Sequence, residues 1–242
     1  MIKSFEVGAV LSSSFSVYFS NFISFFTIGL LFNLPVFVFN YLNGTGAFLD
    51  VVEPRMLFAI PFVVGLLSLI LGNVVTGAIS FGVFQFLRGK KPSIGSCISR
   101  GFSVLLPVIG VAILVGLIVG VGTLFCIIPG IIFYVMFCTA VPVTVVEKPG
   151  VIKSLKRSLD LSSGNRMAIF AVLFVLVLMN IAITFGITFS IVAIGPQIGL
   201  VFTQLIAVVL NGIMSTALVV IYYHLRSSKE SIDVEEIAQV FD

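Results

Sequence analysis

Four long stretches of this chain, residues 7–49, 56–87, 101–146 and 167–225, contain no Asp, Glu, Lys or Arg. They run to 43, 32, 46 and 59 residues. A helix needs ~20 apolar residues to cross a hydrocarbon core of ~30 Å, so these blocks are long enough for six crossings. Backbone amides inside that core must be satisfied within the chain, which selects helices. The expected fold class is therefore all-α, a polytopic membrane protein with six transmembrane helices paired as three helical hairpins. Composition agrees: 59% of the 242 residues are hydrophobic and 10% are charged, against roughly 25% charged in soluble domains. A single integral membrane domain over 1–242 is the expected organisation.

The spans are expected at about 22–42, 56–87, 103–125, 129–146, 167–193 and 197–223. Pro129-Gly130 divides the third stretch and Gly195-Pro196 the fourth, because proline removes a backbone donor and glycine frees the chain to turn. Pro35 is expected to bend the first span, and a tilt or a bend near Pro61 accommodates the length of the second. Asn43-Gly44-Thr45, between the first two spans, matches a glycan acceptor pattern. The Ser- and Phe-rich first 20 residues lack the layout of a cleaved signal peptide.

These spans sort the cations by side. Lys3, Arg88, Lys90, Lys91, Arg100, Lys148, Lys153, Lys156, Arg157, Arg166, Arg226 and Lys229 fall on one side, and Arg55 alone on the other. The positive-inside rule then places the N- and C-termini in the cytoplasm of a multi-pass cell-membrane protein. A net charge of +3 is too small and dispersed for a nucleic-acid partner.

A threefold pattern precedes the first, third and fifth spans. Val7, Leu11 and Phe15, then Ile94, Ile98 and Phe102, then Val151, Leu155 and Leu159 are each spaced by four, which puts each trio on one helical face. The expectation is three short amphipathic interfacial helices on the cytoplasmic side, each followed by a hairpin. The tail, residues 231–242, places Asp233 three before Glu236 and then Ile237, Val240 and Phe241 on one face, a pattern for a further surface helix or a docking peptide.

The spans carry amides but no ionisable side chains. Asn33, Asn73, Asn180, Gln204 and Asn211 are candidates for a polar path, with Asn40 seven residues after Asn33. Interhelical hydrogen bonding is the alternative role for the same residues. Gln204, Asn211 and Ser215 share one stripe, expected to face protein or water. Ser68, Gly72, Thr76 and Ser80, and the G-x-x-x-G of Gly116 and Gly120, are expected packing seams, with a homo-oligomer contact as the alternative for both.

Recognisable catalytic chemistry is missing. One histidine, His224, builds no metal site by itself, and Cys97, Cys126 and Cys138 contain no C-x-x-C pair, so no metal and no cofactor are expected. No nucleophile at membrane depth has a base beside it, and no catalytic residue is assigned. The most polar inner segment runs from Glu147-Lys148-Pro149-Gly150 to Arg166. Arg100, Lys156, Arg157 and Arg166 are candidates for clasping an anionic lipid headgroup; ordinary topology-setting charge, or a Glu147 pair with Arg157 or Arg166, is the competing reading.

The motifs Ile127-Ile128-Pro129-Gly130-Ile131, Pro142-Val143-Thr144-Val145-Val146-Glu147-Lys148, Ser154-Leu155-Lys156-Arg157-Ser158, Ser163-Gly164-Asn165-Arg166 and Ser231-Ile232-Asp233-Val234-Glu235-Glu236-Ile237-Ala238 carry a resemblance. Residues 88–242 resemble the glycerophosphoryl diester phosphodiesterase membrane domain and its six-span bacterial and archaeal relatives. The resemblance implies a membrane module with a lipid-related role; the phosphodiesterase domain itself is missing here, so its activity does not transfer. The expected function is a non-catalytic integral membrane protein that binds or organises membrane lipid or a membrane partner. A transporter or channel for a lipid-like or small neutral solute is one alternative, and an anchor for a soluble enzyme is another. A homo-oligomer or a cytoplasmic partner protein is compatible with each.

Overall fold

A computed structural model describes residues 5–44, 56–194 and 196–230. The regular structure among them is helical: α1 Val7–Ser20, α2 Phe22–Gly44, α3 Met56–Leu87, α4 Ile94–Ser103, α5 Leu105–Phe125, α6 Ile127–Phe137, α7 Ala140–Glu147, α8 Val151–Ser162, α9 Arg166–Ile194 and α10 Pro196–Glu230. Six segments are long and apolar enough to cross a membrane: α2, α3, α5, α6 with α7, α9 and α10. Their aliphatic surface has no partner in water, and long exposed side chains such as Ile23, Leu106, Leu124 and Phe189 ring the bundle, as expected where lipid is the solvent.

The short helices α1, α4 and α8 precede the hairpins α2–α3, α5–α6/α7 and α9–α10, so the threefold pattern corresponds to a real arrangement. Second spans lie inside: in the most apolar 18-residue stretch of each, 28%, 44% and 61% is buried in α3, α6/α7 and α10, against 17%, 17% and 22% in α2, α5 and α9. Each first span also leans on the second span of the preceding hairpin, α5 on α3 and α9 on α6, with α2 closing the ring against α10. The short helices obey the same cycle, α4 packing on α3, α8 on α6 and α7, and α1 on α10. At the centre, Thr76 of α3 and Ser215 of α10 approach to 3.3 Å between hydroxyls.

The interfacial helices sit deeper than their hydrophobic trios imply, and each is rotated. Their fully buried positions lie one residue earlier: Val10 and Ser14, Cys97 and Gly101, Ser154 and Ser158. Phe102, expected on the buried face of α4, is 54% exposed. Small residues win this position because the helix backbone must approach a span closely, which a large side chain would prevent. Val7, Leu11, Ile94, Ile98, Val151 and Leu159 of the trios then pack at the margins, while Leu155 stays buried.

Span four departs from its expected limits of 129–146. Pro129 and Gly130 lie in the first turn of α6, the chain break itself being at Cys126, and a second break at Cys138–Thr139 separates α6 from α7. Pro142 cannot donate to the carbonyl four residues back, so continuous hydrogen bonding through Cys138 is impossible. The α8 serines serve this break: the Ser158 hydroxyl donates to Met136 O at 2.9 Å and lies 2.9 Å from the Thr139 hydroxyl, while Ser162 donates to the same carbonyl at 3.3 Å. Thus Ser158 and Ser162 of α8 are buried for a backbone reason, while Lys153 and Lys156 stay exposed. The other boundaries move little, apart from α10, which continues to Glu230 instead of ending near 223. The tail 231–242, Thr45 of the glycan pattern and Arg55 lie outside the described residues.

The glycine seams also differ from expectation. Gly116 and Gly120 have nothing within 4 Å of where a Cβ would stand, and Gly72 is equally open. Close approaches occur instead at Gly122 and Gly130 across the α5–α6 turn, at Gly29 against Val208, at Gly101 against α3, at Gly82 against Phe25, and at Gly212 against Tyr18, whose ring would lie 2.5 Å from an added Cβ.

Cys126, exposed at the α5–α6 turn, gives a direct test of this geometry. Cys97 and Cys138 are buried, and burial pushes the Cys97 thiol up to about 11, leaving on the order of 0.1% thiolate at pH 8. In sealed vesicles an impermeant maleimide should modify one thiol per chain, from the face opposite Arg88 and Arg166. Modification from the same face as those arginines, read by intact mass, would overturn the arrangement of the second hairpin turn.

Candidate functional site

The described cations all lie at the end of the bundle where the hairpins begin and finish, and a compact ionic cluster forms there. Helix α7 ends at Glu147 because Lys148 turns left-handed (φ 51°) and Gly150 follows at φ 90°. That reversal aims the Glu147 carboxylate between α8 and α10. The Tyr222 hydroxyl donates to its Oε1 at 2.8 Å, and Arg226 Nη1 donates to the Tyr222 hydroxyl at 3.0 Å. Arg226 Nη1 lies 3.7 Å from Oε1, and Arg157 Nε lies 3.3 Å from Oε2. One carboxylate therefore holds two guanidinium groups and a buried phenol, joining α7 of the second hairpin to α8 and α10.

Of the two Glu147 partners considered from sequence, Arg157 is the one found. Tyr222 and Arg226 went unnoticed there. Their spacing of four on one helical face, at the end of an otherwise uncharged span, was the available signal.

The remaining headgroup candidates separate into engaged and open groups. Arg100 points inward: its Nη2 donates to Val145 O at 3.3 Å and its guanidinium lies 5.6 Å from the centre of the Phe81 ring. Burial lowers its pKa, although a guanidinium remains charged at neutral pH. Lys156 and Arg166 are exposed. Arg166 edges an apolar groove of about 400 Å³ between α6 and α9, walled by Ile128, Ile131, Ile132, Val135, Met167 and Phe170. A second groove of about 340 Å³ shares Ile131, Val135 and Phe170 and extends to Val119, Leu173 and Val177.

The amides take up a different arrangement from a shared path. Asn33 donates to Gly29 O and Asn73 to Leu69 O, both at 2.7 Å and both within their own helices. Asn180 and Gln204 are half-buried, and neither groove is lined by any of the five. Asn211 is exposed, although its stripe was expected to face protein or water; Ser215 from that stripe is buried on α3. The cause is the inward face of α10, which is set by Val208, Gly212, Val219 and Tyr222 and leaves Asn211 at its outer margin.

Among the described residues no group of three or more His, Cys, Asp or Glu side chains is placed to hold a metal ion. Compared with family models, with curated proteins and with solved structures, the chain finds no match.

Proposed function

We propose that this membrane protein is non-catalytic and binds anionic lipid at the basic end of its bundle, with that end and both termini facing the cytoplasm. The observation that carries the reading is the division of the four arginine and lysine candidates. Arg100 and Arg157 are consumed by internal partners, whereas Lys156 and Arg166 remain exposed where headgroups would lie. Exposed cations without an internal task suit phosphate recognition at an interface. The resemblance of residues 88–242 to a lipid-related membrane module points the same way.

Transport receives less support, because the two grooves are apolar and Asn33 and Asn73 already bond within their helices. An anchoring role would draw on the tail, outside the described residues.

Each surface cation contributes about 1 kcal/mol toward an anionic membrane. Replacing both Lys156 and Arg166 by Ala should therefore lower anionic phospholipid retention in native mass spectrometry by roughly tenfold or more, with phosphatidylcholine retention unchanged. Equal retention of anionic lipid by the double variant and the parent protein would refute the proposal.

A further inference from the structure

The two grooves on the α6–α9 side share Ile131, Val135 and Phe170, so they form one trough. Its walls on α9 run from Arg166 to Val177. At 1.5 Å per residue, that is about 16 Å of helix, close to half of a ~30 Å hydrocarbon core. The trough thus has the depth of one leaflet. It carries a cation at one end and apolar walls elsewhere, which is the polarity of a phospholipid entered from Arg166's side.

We infer that this trough is a binding site for one anionic phospholipid, its phosphate held by Arg166 and one acyl chain lying along Ile131, Val135 and Phe170 toward Val177. The inference rests on the lipid-binding reading and narrows it to one site. Charge complementarity selects the headgroup, because Arg166 has no carboxylate within ion-pair distance among the described residues.

The chain contains no Trp, so Phe174→Trp, at a 49% exposed trough residue, supplies a unique fluorophore. In phosphatidylcholine vesicles containing about 10% acyl-brominated lipid, brominated phosphatidylglycerol should quench this reporter at least about threefold more than brominated phosphatidylcholine. Adding Arg166→Gln should remove the difference and Arg166→Lys should restore most of it. Equal quenching by the two lipids, or a preference that survives Arg166→Gln, would overturn the site. A Leu106→Trp reporter, on a lipid-facing residue 82% exposed and away from the trough, separates the two levels. The same phosphatidylglycerol preference there would overturn the trough while leaving general headgroup attraction standing, and no preference at either reporter would overturn both.

Discussion

Glu147→Ala should destabilise the bundle by about 3 kcal/mol or more, the usual consequence of removing one member of a buried ion pair. The magnitude follows from which cation loses the carboxylate in a buried setting. Arg157 keeps 30% of its side chain exposed and can turn toward water. Arg226 is only 8% exposed overall, and the variant removes the carboxylate that lies 3.7 Å from its Nη1. Tyr222, 1% exposed, loses its acceptor at the same time.

Two further variants separate charge from hydrogen bonding. Glu147→Gln retains an acceptor for Tyr222 and should cost less, about 1–2 kcal/mol. Joint replacement of Glu147 and Arg226 by Leu removes both charges and should recover much of the loss, since well-packed apolar residues often match a buried pair. Reversible unfolding in mixed micelles would measure all three. A Glu147→Ala protein within about 0.5 kcal/mol of the parent would show that the cluster holds nothing together.

That cluster marks where sequence reasoning stopped. Missing charge over long blocks determines the solvent, and solvent determines helix, so the six spans and three hairpins were readable. Helix period gave α1, α4 and α8 as well, but their apolar trios misidentified the inward face. Hydrophobicity reports which residues avoid water, whereas Ser14, Gly101 and Ser158 are buried because they are small enough for backbones to meet. In a chain this apolar the two criteria diverge. The break at Cys138–Thr139 was hidden for a related reason, since its hydrogen-bond partners, Ser158 and Ser162, come from another helix. Of the headgroup candidates, residue type alone could not separate Arg166 from Arg100 and Arg157, whose partners are remote in sequence.

The same distinction predicts that Gly101, in no sequence motif, packs the fold, and that Gly116 of the G-x-x-x-G does not. Gly101→Leu should destabilise the protein by about 3 kcal/mol, at the upper end of overpacking costs. A Cβ there would stand 3.0 Å from Val74 O and 3.4 Å from Ala78 N, and main-chain atoms cannot swing aside as a side-chain tip can. Helix α4 would have to leave α3, loosening the Arg100 bond that reaches Val145 on α7. Gly116→Leu meets open space in α5 and replaces a poor helix former with a good one, so it should be neutral or stabilising by up to about 1 kcal/mol. Micelle unfolding of the pair decides which glycines pack the fold. Strong destabilisation by Gly116→Leu that appears only above a threshold protein concentration would instead place α5 against a second copy, since a contact between chains follows mass action and one within a chain does not.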